Sequence, residues 1–316
     1  MRFKKPKFWD FKKPNFYSYL LLPLTIFVKI NNFYLNLKSK KKIKEIKTIC
    51  VGNIYVGGTG KTPTTIRLYQ ILKNLGCKVY TAKKYYPNQI DEKIILENQT
   101  NLITAKNRLD IIAKAQKKNI KFLIFDDGLQ EKKIDYDLKF VCFDLPNWIG
   151  NGFLIPAGPL REKLDSLSKY DGVFLKNDSS NKNDQINIIK RYNPNIQIYE
   201  TYYEPTNIMD FDLSEKYLVF SGIGNHASFK EILIKNKIKV VDEINFPDHF
   251  DYKMNDIIKI KDHAKKINAK IITTEKDFVK ISNFEKNEIK YLKVKIKISN
   301  ENQFINFLKS RIYEKN

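Results

Sequence analysis

Cysteine is scarce in this chain of 316 residues: Cys50, Cys77 and Cys142 stand far apart, odd in number and without C-x-x-C spacing. That excludes a disulfide framework and a cysteine-built zinc site, and it points to a reducing compartment. Histidine is as sparse, with only His226, His249 and His263. No small-residue cleavage site follows the N-terminal apolar segment; lysines follow it instead, which argues against a removable signal. The segment itself, "FYSYLLLPLTIFVKI" from Phe16 to Ile30, is broken by Pro23, and it falls short of the about 20 residues that a membrane-spanning helix requires. Acids are in deficit, 35 against 57 lysines and arginines, for a net charge of +22.

What is present is ample for folding. Hydrophobic residues make up 42% and aromatics 13%, enough to bury two cores, so intrinsic disorder is excluded. The basic surplus favours an anionic partner such as nucleic acid, phospholipid or phosphate. Heavy use of Lys, Asn and Ile, as AT-rich coding produces, accounts for part of that surplus, so its location matters more than its size.

Thirteen basic side chains lie between Arg2 and Lys47 against only Asp10 and Glu45. Together with the apolar run they describe a helix lying in a membrane interface, with Trp9, Tyr17, Tyr19 and Tyr34 at headgroup depth and lysines facing anionic lipid. The alternative is an N-terminal helix packed on the protein's own core.

From Lys47 the pattern is strand, glycine loop, helix: "TICVGNI", "YVGGTGKT", then "PTTIRLYQILKNLG" with Gly76 as its C-cap. "CKVYTA", "IKFLIFDDG", "LKFVCFDL" and "DGVFLKN" read as further strands and "NRLDIIAKAQKKN" as a helix. Near residue 178 a polar stretch, "NDSSNKNDQ", marks a loop or linker. A second alternating set follows, from "KYLVFSGIGNHASFKEILIKN" through "IKVVDEINFPDHF", "MNDIIKIKDHAKKIN" and "AKIITTEKDFVKI" to "IKYLKVKIKI". Alternation of this kind predicts an α/β chain. The expected fold is a P-loop NTPase-like three-layer sandwich with a mostly parallel sheet, a second smaller α/β lobe and an N-terminal membrane-associated helix. The expected segments are 1–46, 47–205 and 206–316.

The loop departs from G-x-x-x-x-G-K-[ST] because Tyr55 stands where the first glycine belongs. Gly57, Gly58 and Gly60 still let the backbone turn its N–H groups toward a phosphate chain, at the positive end of the following helix. Tyr55, Val56, Gly57, Gly58, Thr59, Gly60, Lys61 and Thr62 are therefore the candidate ATP-binding residues. Lys61 can reach the β- and γ-phosphates, and Thr62 can ligate Mg²⁺. Asp126 and Asp127, at the end of a buried strand, offer carboxylates to the same metal; a solvated turn is the alternative. "LIPAGPLRE" is a rigid turn that can aim Arg161 at phosphate, or a structural loop. His249, between Asp248 and Asp251, is placed for proton transfer, whereas His263 lies in a lysine-rich helix and reads as surface.

Together, "FWDF", "LLLPL", "VGNIYVGGTGKTP", "DDGLQEKKI", "LIPAGPLRE", "FSGIG", "FPDHFDY" and "TTEKDFVKI" resemble the tetraacyldisaccharide 4'-kinases, which phosphorylate the lipid A precursor. The resemblance covers most of the chain in the family's order. It implies ATP and Mg²⁺, an acylated disaccharide substrate and peripheral attachment to an anionic membrane surface, the cytoplasmic face of the bacterial inner membrane. It implies no nucleic acid and no obligate protein partner. It also implies a catalytic Asp–His pair: the family's "DH" histidine matches His249, and its aspartate is matched by Asp91 in "QIDEKIIL", with Glu92 beside it. The family's flanking glycine and proline are absent there, as is its Arg-Gly-Tyr-Gly segment, replaced by "AKKYYPNQ". Arg161 and Glu162 match its "PLRE"; His226 matches nothing functional. On this pattern Asp91 accepts the proton of a sugar hydroxyl while His249 holds or tunes the carboxylate, a contribution of roughly 10²–10⁴ in rate. Two other readings stand beside it: a nucleotide-switched ATPase of the G-G-x-G-K-T class, and a non-enzymatic membrane-binding relative with a decayed nucleotide fold.

Overall fold

A computed structural model describes residues 5–37, 39–131, 133–176 and 182–313. Most of the polar stretch near residue 178 lies outside the described residues. Helices α1 (Phe16–Leu21) and α2 (Thr25–Leu37) are followed by β1 (Lys41–Lys42), β2 (Lys47–Gly52), α3 (Lys61–Asn74), β3 (Val79–Lys84) and α4 (Ile90–Gln99). Next come β4 (Leu102–Ala105), α5 (Arg108–Lys117), β5 (Phe122–Asp126), β6 (Ile134–Asp135), β7 (Leu138–Asp144), β8 (Gly172–Lys176), α6 (Asn183–Tyr192) and β9 (Gln197–Pro205). The rest runs β10 (Lys216–Ser221), α7 (His226–Lys235), β11 (Lys239–Asn245), α8 (Met254–Lys266), β12 (Lys270–Thr274), α9 (Glu275–Phe278), β13 (Ile289–Leu292), β14 (Val294–Ile298) and α10 (Glu301–Tyr313).

The described residues fall into two compact units: one drawn from Met1–Lys84, Thr100–Tyr202 and Lys297–Asn316, the other from Tyr85–Gln99 and Tyr203–Ile296. Against the expected segments, 1–46 is grouped with the first unit and 203–205 with the second, and two longer stretches change sides. Residues 85–99, with α4, belong to the second unit, and 297–316, with α10, return to the first.

The first unit is built on an eight-stranded sheet in the order β14-β9-β8-β7-β2-β5-β3-β4, parallel throughout from β9 to β4. Both faces are covered, which is why its strands read as unbroken apolar runs. Ile49 and Val51 of β2 face a core containing Leu68, Ile71 and Leu72 of α3 and Phe304 and Leu308 of α10. Cys50 faces the opposite core with Ile111 and Ile112 of α5 and Ile189 of α6. Helix α3 stops because Gly76 turns left-handed (φ 78°), with its N–H on the Lys73 carbonyl at 3.0 Å and that of Cys77 on Leu72 at 3.0 Å.

The second unit carries a four-stranded parallel sheet, β11-β10-β12-β13. Ile257, Ile260 and Ala264 of α8 pack against Leu218, Phe220 and Ile271 on one face. Phe229 and Leu233 of α7 pack against Tyr217, Val219 and Ile272 on the other. The segment "IKYLKVKIKI", expected as one strand, is two: β13 belongs to this sheet and β14 to the other. Between them Lys293 donates its N–H to Asn207 Oδ1 (2.8 Å) and accepts the N–H of Thr206 (2.9 Å), which takes it out of either ladder.

At the N-terminus, α1 starts with a capping box between Asn15 and Ser18, and Pro23 sits in a single 3₁₀ turn that joins α1 to α2. Trp9 is not at headgroup depth. It is 1% exposed, its indole N–H donates to the Pro156 carbonyl at 3.0 Å, and its own carbonyl accepts the Asn151 N–H at 2.9 Å. Tyr17, Tyr19 and Tyr34 are exposed, together with Phe16, Leu20, Phe27, Ile30, Phe33 and Leu37. Among the described residues no helix is long and apolar enough to cross a membrane.

Candidate functional site

In the first unit the loop from Asn53 to Gly60 joins β2 to α3. Gly57 (φ 144°) and Gly60 (φ 80°) take conformations that other residues adopt only under strain, and α3 begins directly after, at Lys61. The loop is tied to the "LIPAGPLRE" turn: Val56 N–H donates to the Pro159 carbonyl (2.9 Å) and Arg161 N–H to that of Ile54 (2.7 Å). Asn53 Nδ2 donates to the Gly57 carbonyl at 3.2 Å, and Gln130 Nε2 to that of Asn53 at 2.9 Å. Tyr55 faces inward rather than toward the loop's concavity. It is 1% exposed, packs on Leu154 and Leu160, donates its hydroxyl to Asp10 and accepts from Lys5 Nζ at 2.8 Å. A tyrosine thus replaces the usual glycine because this position anchors the loop to the N-terminal arm.

Thr59 is buried, and its hydroxyl has no partner among the described residues. A buried hydroxyl left unsatisfied costs about 1–3 kcal/mol, which a phosphate oxygen in the loop would relieve. Thr62 donates to Asp126 Oδ2 at 3.0 Å, and the buried Lys83 ammonium reaches the same oxygen at 2.8 Å. Asp127 adopts φ 59° and its carboxylate lies 3.9 Å from Lys61 Nζ and 3.3 Å from Arg161 Nη1. Its carbonyl accepts from Arg108. Gln130 accepts from Arg161 at 3.1 Å, and Glu162 accepts from Tyr170 at 3.2 Å. The structure therefore brings Lys61 and Arg161 to Asp127, with Gln130 linking Arg161 to Glu162 (3.5 Å), and sets Thr62 and Lys83 on the adjacent Asp126.

Hard oxygen donors of this kind, one hydroxyl and two carboxylates, suit Mg²⁺, which takes few protein ligands and completes its shell with phosphates and water. Among the described residues no group of three or more His, Cys, Asp or Glu able to hold a metal occurs.

The second unit holds a separate ionised cluster. Asp91 lies in the first turn of α4 and is 1% exposed. Its Oδ1 accepts the Glu92 N–H at 2.9 Å, and His249 Nδ1 lies 3.1 Å from Oδ1 and 2.9 Å from Oδ2. His249 sits at φ 57° in the "FPDHF" turn, its N–H on the Gly222 carbonyl at 3.1 Å. A bulky residue held left-handed costs about 1 kcal/mol or more and marks a position fixed by its surroundings. Lys276 lies 2.9 Å from Asp248 Oδ1, 3.8 Å from Asp91 Oδ2 and 3.9 Å from Glu92 Oε1. Lys280 Nζ is 4.0 Å from Asp91 Oδ2. Burial pushes the Asp91 carboxyl up, but the His249 hydrogen bond and the Lys276 charge outweigh it and hold the group below the ordinary carboxylate value. Asp248 is lowered in the same way, burial being overcome by Lys276 and His249. Burial pulls Lys276 down, and Asp248, Glu92 and Asp91 together raise it above an ordinary lysine.

The outer two histidines are elsewhere. His226 Nδ1 lies 2.6 Å from the Ser221 hydroxyl, and the half-buried His263 pairs with Asp242 at 2.7 Å. Sequence reasoning passed over Lys83, Gln130 and Lys276. The signals were present: a lysine ending an apolar strand, the glutamine of "DDGLQ" and the lysine of "TTEKD".

A phosphate loop, a strand-end carboxylate pair and an Asp–His pair are features against which known proteins can be compared. The family model for LpxK, tetraacyldisaccharide-1-P 4'-kinase, matches residues 18–313. The chain belongs to this kinase family. It is 48% identical to the tetraacyldisaccharide 4'-kinase of Pelagibacter ubique over the whole of both chains, and 33% identical to that of Rickettsia bellii, covering 94% of this chain and 95% of that one. A crystal structure of "apo" form LpxK from Aquifex aeolicus in complex with ATP superposes with a TM-score of 0.68 at 23% identity, over 94% of this chain and 99% of that one. The α/β P-loop architecture is thus the kinase family's own.

Proposed function

We propose that the chain transfers the γ-phosphoryl group of ATP to the 4'-hydroxyl of a tetraacylated glucosamine disaccharide 1-phosphate. The observation that carries this reading is the Asp91–His249 pair at 2.9 Å, intact although its flanking residues depart from the family's wording. The first unit holds ATP: loop N–H groups from Gly57 to Lys61 and the Thr59 hydroxyl take phosphate oxygens, and Lys61 supplies positive charge. Thr62, Asp126 and Asp127 are the residues that would hold Mg²⁺, which neutralises phosphate charge when bound. Arg161 and Glu162 shape the same site.

The second unit supplies the proton acceptor. A sugar hydroxyl is a weak nucleophile, so Asp91, kept anionic by its neighbours, accepts its proton as the oxygen attacks in line. His249 donates from Nδ1 to the carboxylate and fixes its orientation. Acyl chains need not leave the bilayer if the enzyme lies on it. The exposed apolar face of α1 and α2, with the basic residues around it, suits peripheral attachment to the anionic cytoplasmic face of the inner membrane. Residues 1–46 form this attachment segment.

A nucleotide-switched ATPase of the G-G-x-G-K-T class places a lysine just before the glycines, where this chain has Val56. A decayed relative would have no reason to keep Asp91 and His249 hydrogen-bonded. The deciding experiment supplies labelled ATP and detergent-dispersed disaccharide monophosphate to the full chain. Label should appear in lipid only when the disaccharide is present; ATP hydrolysis without lipid labelling would sink the kinase reading.

A further inference from the structure

Lys276 ends in the middle of the cluster rather than beside one partner. Groups from two elements face it: Asp91 and Glu92 from α4, Asp248 and His249 from the turn after β11. Lys280, one turn further on, lies 2.7 Å from Asp277 Oδ1 and 4.0 Å from Asp91 Oδ2. The contacts favour one tautomer of His249. A carboxylate only accepts, so the 2.9 Å contact of His249 Nδ1 with Asp91 puts a proton on Nδ1. An ammonium only donates, so Lys276 Nζ, 2.9 Å from Asp248 Oδ1 and 3.4 Å from His249 Nε2, favours leaving that nitrogen bare. Glu92 Oε1 at 3.8 Å and Asp248 Oδ1 at 3.9 Å from Nε2 stand beyond hydrogen-bond reach. Without the ammonium, the charge of these two carboxylates would favour an additional proton on Nε2, making the ring a cation while Nδ1 still donates to Asp91.

The geometry points to Lys276 as a positioning residue that locks His249 in the Nδ1–H tautomer and so aims the Asp91 carboxylate at the substrate hydroxyl. This rests on the assignment of Asp91 as proton acceptor. Lys276 acts through His249 and through the charge it brings to Asp91 and Asp248.

The test reads the ring directly. The full chain is labelled with ¹⁵N-histidine and examined by two-bond ¹H–¹⁵N correlation near pH 8. With only three histidines in the chain, His226→Gln and His263→Gln assign His249 by elimination. The wild type should show Nδ1 protonated and Nε2 bare; a protonated Nε2 overturns the proposal without any variant at the lysine. In Lys276→Met, Nε2 should become protonated and kcat should fall roughly 10- to 100-fold, part of the 10²–10⁴ that a positioned base contributes. KM for ATP should stay within about twofold, since the ATP site lies on other residues. Lys276→Arg, which keeps a cationic donor, should retain the bare Nε2 and more of the activity than methionine does. If Lys276→Met does not fold, the wild-type spectrum and the arginine variant decide alone. Asp91→Asn run alongside separates the two claims. Wild-type kcat in Asp91→Asn overturns the base assignment and with it the positioning role. An inactive Asp91→Asn beside a Lys276→Met with wild-type spectrum and kcat overturns the role of Lys276 only.

Discussion

Replacing Lys83 by methionine removes the cation from a buried ion pair while keeping most of the side chain's apolar length. The Lys83 and Asp126 side chains are 3% and 0% exposed, with Nζ and Oδ2 at 2.8 Å. At that separation the attraction is worth about 6 kcal/mol for an effective dielectric constant of roughly 20, and it offsets a desolvation cost of several kcal/mol per ion. The intact pair thus contributes little net stability, but its rupture leaves the Asp126 charge buried. Thr62 at 3.0 Å and Thr65 at 3.4 Å remain as hydroxyl donors. They compensate only partly, so the expected loss is about 3–5 kcal/mol. Both tryptophans, Trp9 and Trp148, lie in the first unit, so tryptophan fluorescence in urea follows that unit alone. With an m-value of about 2–3 kcal/mol/M, the midpoint should drop by roughly 1–2 M. Mg²⁺ with ATP should restore more stability to the variant than to the wild type, because a bound divalent cation supplies the charge that Lys83 no longer gives. A variant within about 0.5 kcal/mol of the wild type would refute the reasoning, since additive scatter alone reaches that size.

Three other perturbations address the remaining parts of the account. Lys61→Ala should lower kcat/KM for ATP by about 10²–10³, the usual cost of one preorganised donor on a developing charge, measured by steady-state kinetics. Because the folded-state Asp91 and Asp248 carboxyls are held below their ordinary value, the stability they contribute to the second unit is fully present above the unfolded value of about 3.9. It should be lost as pH falls below that, seen as a fall in hydrogen-exchange protection of β10 and β12 between pH 4 and lower. The same protection profile in His249→Ala would contradict the assignment. Replacing both Phe27 and Phe33, 68% and 66% exposed, by glutamate should weaken binding to anionic vesicles by about 100-fold, from roughly 3 kcal/mol of lost apolar insertion. Unchanged co-sedimentation would remove the membrane role from this face.

The parallel sheets were legible because two-sided burial leaves "TICVG", "FLIFD" and "KFVCFD" as apolar runs that only a covered strand explains. The phosphate loop was legible because Gly57, Gly60, Lys61 and Thr62 answer to one chemistry. Helix α4 was not foreseen: among residues 90–99 only Asp91 and Leu96 are buried, so its apolar periodicity is faint. Trp9 was misplaced because an aromatic among lysines carries no local sign that a carbonyl 147 residues away awaits its indole N–H. The break of "IKYLKVKIKI" at Lys293 is likewise set by partners distant in sequence, Thr206 and Asn207. Asp91 and His249, 158 residues apart, were paired by family resemblance, since neither spacing nor periodicity links them.

The central claim is a division of labour, with ATP held by residues of the first unit and the proton accepted by Asp91 of the second. Asp91→Asn tests it most directly when nucleotide affinity and turnover are measured on the same preparation. The account predicts a dissociation constant for ATP within about twofold of the wild type, together with a kcat lowered by roughly 10²–10⁴, the range expected for loss of a positioned general base. An Asp91→Asn enzyme that phosphorylates the disaccharide at the wild-type rate would contradict it.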